Sequence, residues 1–185
     1  MAAIHAALLG AEIIAKEEQD KTVEFLLSKP LSRAHILTSK LLAGLTNVLV
    51  FGIITTISSI LIVGQYNTGP SITSSILLLM AGMSFVQCIF YSVGILVAAT
   101  SRHAKSAAQT AATSVLAAYL IYVLVGLFDS LSWLRFASPF QYFEANHLLQ
   151  SGKLGLDFVL LAGVVVGLCI AGAYIGYTQR EPDVT

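Results

Sequence analysis

Charge is what this chain most lacks. Of its 185 residues only 11% are Asp, Glu, Lys or Arg and 56% are hydrophobic, whereas soluble domains carry about 25% charged residues. With a mean hydropathy of +0.81, such a chain cannot cover itself with a solvated surface and reads as an integral membrane protein. Ten Lys+Arg balance ten Asp+Glu, so no net basic field exists to attract nucleic acid. The two cysteines, Cys88 and Cys169, lie in separate apolar runs without paired spacing. That excludes a disulfide framework or a cysteine zinc site and makes both packing residues. No Asn-x-Ser/Thr sequon occurs, since Asn67 is followed by Thr68 and Gly69. No G-x-x-x-x-G-K-[ST] loop occurs either, so any ATP chemistry would have to come from another chain.

What is abundant is long apolar sequence. Four uncharged runs, 41–63, 76–99, 107–128 and 158–177, are each long enough to cross a hydrocarbon core of about 30 Å. None contains an Asp, Glu, His or Lys. Ion-coupled transport normally needs ionisable groups in the membrane, and a Ser or Thr nucleophile needs a neighbouring base. Both a self-energised transporter and an intramembrane enzyme are therefore disfavoured. Residues 2–15 are apolar apart from His5 and Glu12, but cover only about 21 Å as a helix. We read them as the inner end of a span whose beginning is missing. The four histidines are scattered, and Glu144 with His147 forms only an E-x-x-H pair. A metal site on such a pair needs further ligands from other helices, so no metal is expected.

Polar and small residues mark particular helix faces. Ser84, Gln87, Tyr91 and Gly94 recur every three or four residues and predict a stripe that lipid could not satisfy. Ser84, Gln87 and Tyr91, with Tyr119 and Tyr122, are candidate pathway-lining residues, or equally residues that satisfy one another across helices. Ala107, Ala108, Ala111, Ala112, Ser114 and Ala118 form a small-residue face, as do Gly163-x-x-x-Gly167 and Gly172-x-x-x-Gly176. Residues 129–157 carry Trp133, Phe136, Phe140, Tyr142 and Phe143 around Pro139. This reads as two short helices broken at Ser138-Pro139, lying at headgroup level or dipping into the outer leaflet. The tail, 178–185, is short and polar.

The one long polar interruption is 16–40, KEEQDKTVEFLLSKPLSRAHILTSK. From Asp20 to Ser28 the apolar Val23, Leu26 and Leu27 fall at i, i+3 and i+4, which predicts a short amphipathic helix. Pro30 ends it. Ser32 can cap a second helix, with Leu31 and Ile36 placed for a hydrophobic staple. With 16–40 and 100–106 on the cytoplasmic side, Lys16, Lys21, Lys29, Arg33, Lys40, Arg102, Lys105 and Arg180 lie inside, against Arg135 and Lys153 outside. That is the bias of the positive-inside rule.

The run T-x-E-x-L-L-S-x-P-x-S-R from Thr22 to Arg33, with Lys40 seven residues on, resembles the cytoplasmic loop of ABC-2-type transporter permeases. Those permeases usually carry Gly before the Thr, where this chain has Lys21. The resemblance implies an all-α polytopic bundle with a coupling helix docked on a separate ATP-binding cassette ATPase subunit. It also implies six spans with this loop after the second, and re-entrant half-helices before the last. Val23, Glu24, Phe25, Leu26, Leu27 and Arg33 would then be the ATPase-coupling residues. The chain itself would be no enzyme and hold no cofactor, with ATP bound by its partner. A second permease chain, the same or different, would complete the assembly in a cell membrane, in keeping with a prokaryotic exporter. The alternative is a non-transporting scaffold or regulatory subunit with the same fold. Neither reading names a substrate.

Overall fold

The computed structural model describes residues 1–19, 32–66, 72–101 and 104–179. Among these the chain is helical: α1 (Ala2–Gln19), α2 (Arg33–Tyr66), α3 (Thr73–Thr100), α4 (Ala104–Leu127), a 3-10 helix (Asp129–Ala137), α5 (Pro139–Tyr142), α6 (Ala145–Ser151) and α7 (Leu156–Gln179). Four of them, α2, α3, α4 and α7, are long and apolar enough to span a membrane. The protein is an all-α polytopic membrane protein.

Helices outrun the apolar runs that announce them. The helix containing run 41–63 already starts at Arg33, because Ser32 caps it: the Ser32 hydroxyl accepts from His35 N–H at 3.3 Å, and its carbonyl takes Ile36 N–H at 3.1 Å. At 34 residues and about 1.5 Å per residue, α2 exceeds the hydrocarbon thickness, so its polar first turns lie beyond the apolar run. Runs 76–99, 107–128 and 158–177 become α3, α4 and α7 with ends shifted by one to three residues. Residues 2–15 become α1, which continues to Gln19.

The connection 129–157 departs from the expected pair of helices and forms three short pieces. The chain does break at Ser138, which is extended (φ −112°, ψ 116°) with Pro139 opening α5. A further break comes at Phe143 (φ −125°, ψ 44°), whose ring stacks on Phe85 of α3 at 5.2 Å. The break thus coincides with a tertiary contact that the local sequence cannot announce. Gly152 closes α6 in the left-handed region at φ 64°, its N–H on the Leu148 carbonyl, a conformation that costs glycine nothing.

Helix α3 is the hub. It packs against α1, α2, α4, α6 and α7, and from Val86 to Ala99 it is buried at Val86, Gln87, Ile89 to Ser92, Gly94, Ile95, Ala98 and Ala99. Directions follow from point contacts. Gly10 of α1 lies against Tyr91 and Ile95, and Gly94 against Ala7 and Ala11. Met1 to Ile4 share a cavity with Leu79 to Gln87, so α1 runs parallel to α3. Leu41 and Gly44 of α2 meet Tyr91 while Gly52 meets Ser84 and Gln87, so α2 runs antiparallel. Gly172 lies on Leu96 and Gly176 on Ala99 and Thr100, so α7 is parallel again. One end of the bundle therefore collects the C-termini of α1, α3 and α7 and the N-termini of α2 and α4. The 3-10 helix, α5 and α6 occupy the other.

Candidate functional site

Two regions bear on function: the end of the bundle where the polar connection attaches, and the seam between α1, α2, α3 and α4 at membrane depth. Val23, Glu24, Phe25, Leu26 and Leu27 lie outside the described residues, and Arg33 is the first residue of α2. What the fold supplies is their setting. The helix that leads into this connection and the helix that leaves it both have that end at the same face as the C-terminus of α3 and the N-terminus of α4. By position, Lys16, Arg33 and Lys105 all fall in the terminal turns at that face. The second turn of α2 is tied laterally to α7 by Thr38 Oγ1 and Tyr174 Oη, 2.7 Å apart.

The stripe on α3 is present as a face, and its members have unequal roles. Tyr91 is buried and donates its hydroxyl to the Leu41 carbonyl at 2.9 Å. The ring fits because position 44 is glycine, where a Cβ would collide with the Tyr91 hydroxyl. Ser84 donates back to the Met80 carbonyl at 2.9 Å, which satisfies it within its own helix. Gln87 is 1% exposed, and its Oε1 has no hydrogen-bond partner among the described residues, where an unpaired buried amide oxygen costs about 1–3 kcal/mol.

Tyr119 and Tyr122 lie elsewhere, toward the opposite end of the bundle. Their rings are 6.2 Å apart, and both contact Phe140 of α5, at 5.9 and 6.3 Å. Beside them Ser138, fully buried, donates to the Ala118 carbonyl at 2.8 Å. Tyr142 donates to the Phe136 carbonyl, and burial pushes its phenol above the ordinary value. Of the five candidate pathway residues, Gln87 and Tyr119 both line a cavity of about 750 Å³ walled by Leu79, Met83, Val86, Phe140 and Phe143. Ser84 instead lines a smaller cavity of about 230 Å³ between α2 and α3, with Gly52, Thr56 and Cys88.

Small residues explain how the seam closes. A Cβ on Gly10 would strike the Tyr91 carbonyl oxygen and one on Gly94 the Ala7 carbonyl oxygen, so α1 and α3 touch backbone to backbone. The small face of α4 is used within the chain: Ala107, Ala111 and Ala118 are buried where α4 packs on α1. Gly172 and Gly176 are likewise used against α3, whereas a Cβ built on Gly163 or Gly167 meets nothing within 4 Å among the described residues. The role of α1 escaped a reading based on apolar length. Its spacing Ala3, Ala7, Ala11 was the available signal. His5 and Glu12, also on α1, are exposed, with His5 stacked on Phe51 of α2 at 5.0 Å. They are ionisable groups beside the spans that a count of the four long runs leaves out.

No curated protein matches the chain. The family described as ABC-2 family transporter protein matches residues 1–179, a stretch that contains every helix described above. By that match and by its four apolar spans, the chain belongs to the ABC-2 transporter family as a transmembrane permease domain.

Proposed function

We propose that this permease works as an exporter subunit driven by a separate ATP-binding cassette ATPase, which docks on the amphipathic segment Asp20–Ser28. The observation that carries the reading is the common end of the bundle. The two helices flanking that segment, the C-terminus of α3, the N-terminus of α4 and the C-terminus of α7 meet there, and eight of the ten Lys+Arg lie in those polar parts of the sequence. By the positive-inside rule this end is cytoplasmic, where an ATPase is found. The short helices 129–151 are then external. The cavity lined by Gln87 and Tyr119 belongs to the pathway, and a second permease chain completes it, with the open Gly163/Gly167 face available for contact.

In the docked state Val23, Leu26 and Leu27 are the apolar anchors, with Phe25 at the margin and Glu24 and Arg33 at the charged rim. Each buried anchor contributes about 1.5–3 kcal/mol, against less than about 1 kcal/mol for an exposed ion pair. Replacing Leu26 and Leu27 together with Ser therefore releases a co-expressed ATPase subunit on co-purification, while Glu24→Gln retains it. Membrane insertion survives both changes, because no span is altered. ATP-dependent uptake of cargo into inside-out vesicles reads the direction of transport. Wild-type ATPase association in the Leu26/Leu27 double variant would overturn the docking assignment. Association without ATP-driven movement of cargo would make the chain a scaffold.

A further inference from the structure

We propose that the 3-10 helix Asp129–Ala137 is a lipid anchor, with Trp133 and Phe136 seated in the headgroup and carbonyl layer of the bilayer and Arg135 paired with lipid phosphate. In a 3-10 helix, side chains three apart eclipse one another, so Trp133 and Phe136 stand on one ridge. They are 70% and 68% exposed. A neighbouring ridge is occupied: Leu131 and Leu134 are partly buried where the helix folds back on α4.

The ridge continues a lipid-facing surface. On α4, Leu120, Leu124 and Leu127 are exposed at 61%, 43% and 70%, at the spacing of one helix face, and Phe128 just beyond them is 55% exposed. One extended residue, Phe128, joins this face to the 3-10 helix, whose first turn is closed by Leu131 N–H on the Phe128 carbonyl at 3.0 Å. Where an apolar face leaves the hydrocarbon, Trp is favoured, because its ring is apolar and its N–H needs a polar partner. The exposed Arg135 falls between the two aromatics in sequence and stands on an adjacent ridge, and its planar fork suits a phosphate. Lipid is favoured over a second copy of the chain because a buried protein contact would leave that guanidinium without water or phosphate.

The stretch that follows, Ser138 to Phe143, faces inward. Ser138 is hydrogen-bonded to Ala118, and Phe140 packs on Tyr119, Tyr122 and Phe90. The segment is thus two-sided, fastened to α4 on one side and to lipid on the other, and it sets the depth at which α4 sits.

Trp133 is the only tryptophan in the chain, so its fluorescence reports this ridge alone. The test reconstitutes the full chain in phosphatidylcholine vesicles carrying a nitroxide on the headgroup or at carbon 12 of the acyl chain, with iodide as the aqueous quencher. The headgroup nitroxide is expected to quench about twofold or more better than the deep one, with little effect of iodide. Phe136→Ser is expected to increase iodide quenching. Strong iodide quenching of the wild-type chain, or strongest quenching by the deep nitroxide, would overturn the assignment to the headgroup layer. Shielding from all three quenchers that is lost on dilution into excess lipid would identify a second copy as the occupant instead. None of these outcomes depends on ATPase docking.

Discussion

Helices α1 and α2 are neighbours joined by the polar connection, and they invert the usual relation between hydrophobicity and burial. The longer, α2, exposes Leu42, Leu49, Ile53, Ile54, Ile57, Leu61 and Ile62, each by half or more. The shorter, α1, carries His5 and Glu12 yet buries Ala3, Ala6, Ala7, Ala11, Ile14 and Ala15. In water this arrangement would be unstable. In a bilayer, apolar exposure costs little, since lipid tails are as apolar as leucine, and helices associate where small side chains let their backbones approach. Hydrophobicity therefore identifies what lies in the membrane, and residue size identifies what lies inside the protein.

The sharpest way to break this comparison is Gly10→Leu. The side chain has no room against the Tyr91 carbonyl, so the variant should lose about 3 kcal/mol or more of stability, read as a lower midpoint in denaturant titration of the purified protein. A wild-type midpoint would show that α1 is not packed as described. Next comes the Tyr91 pocket. Gly44→Ala drives a methyl into the Tyr91 hydroxyl, and Tyr91→Phe forfeits the bond to Leu41, about 1 kcal/mol. Because the two changes share one space, the double variant should be more stable than the sum of the single losses implies; strict additivity would show that ring and glycine are uncoupled.

Gln87→Leu sharpens the contrast in the other direction. Removing an amide whose oxygen has no partner among the described residues should leave stability within about 1 kcal/mol of wild type or raise it, while ATP-driven transport falls if the amide serves the pathway. A large loss of stability would mean that Gln87 is fully hydrogen-bonded. The smallest effect belongs to α2. Ile57→Ala, on a half-exposed lipid-facing position, should shift the denaturation midpoint by less than about 0.5 kcal/mol. A loss comparable to Gly10→Leu would mean that α2 is covered by protein.

Particular residues show where sequence reading reached and where it stopped. Ser32 as a cap and Pro139 as a break are local chemistry, and both act where the pattern places them. Ser84, Gln87 and Tyr91 share a face because 3.6 residues make a turn. Which of them would bind Leu41, and which would be left unpaired, depends on residues 50 positions away. Tyr119 and Tyr122 sit on one helix with similar sequence surroundings, but only Tyr119 lines the cavity with Gln87. The break at Phe143 was not legible, because no Pro or Gly marks it and the residue's partner there is a ring on another helix.

By itself, then, the sequence determined that this chain lives in a membrane, roughly where its four long helices run, and where its polar connection interrupts them. These follow from composition and period, which act over a few turns of chain. Only the tertiary structure decided that α1 is an interior helix, that the alanine face of α4 is used within the chain, and that Gly163 and Gly167 are left open among the described residues. Lipid and protein solvate an apolar side chain almost equally well, so apolar pattern alone cannot say which face meets which. That choice rests on how closely two backbones can approach, as Gly10 and Gly94 do against α3 and α1, and close approach is a property of pairs of helices.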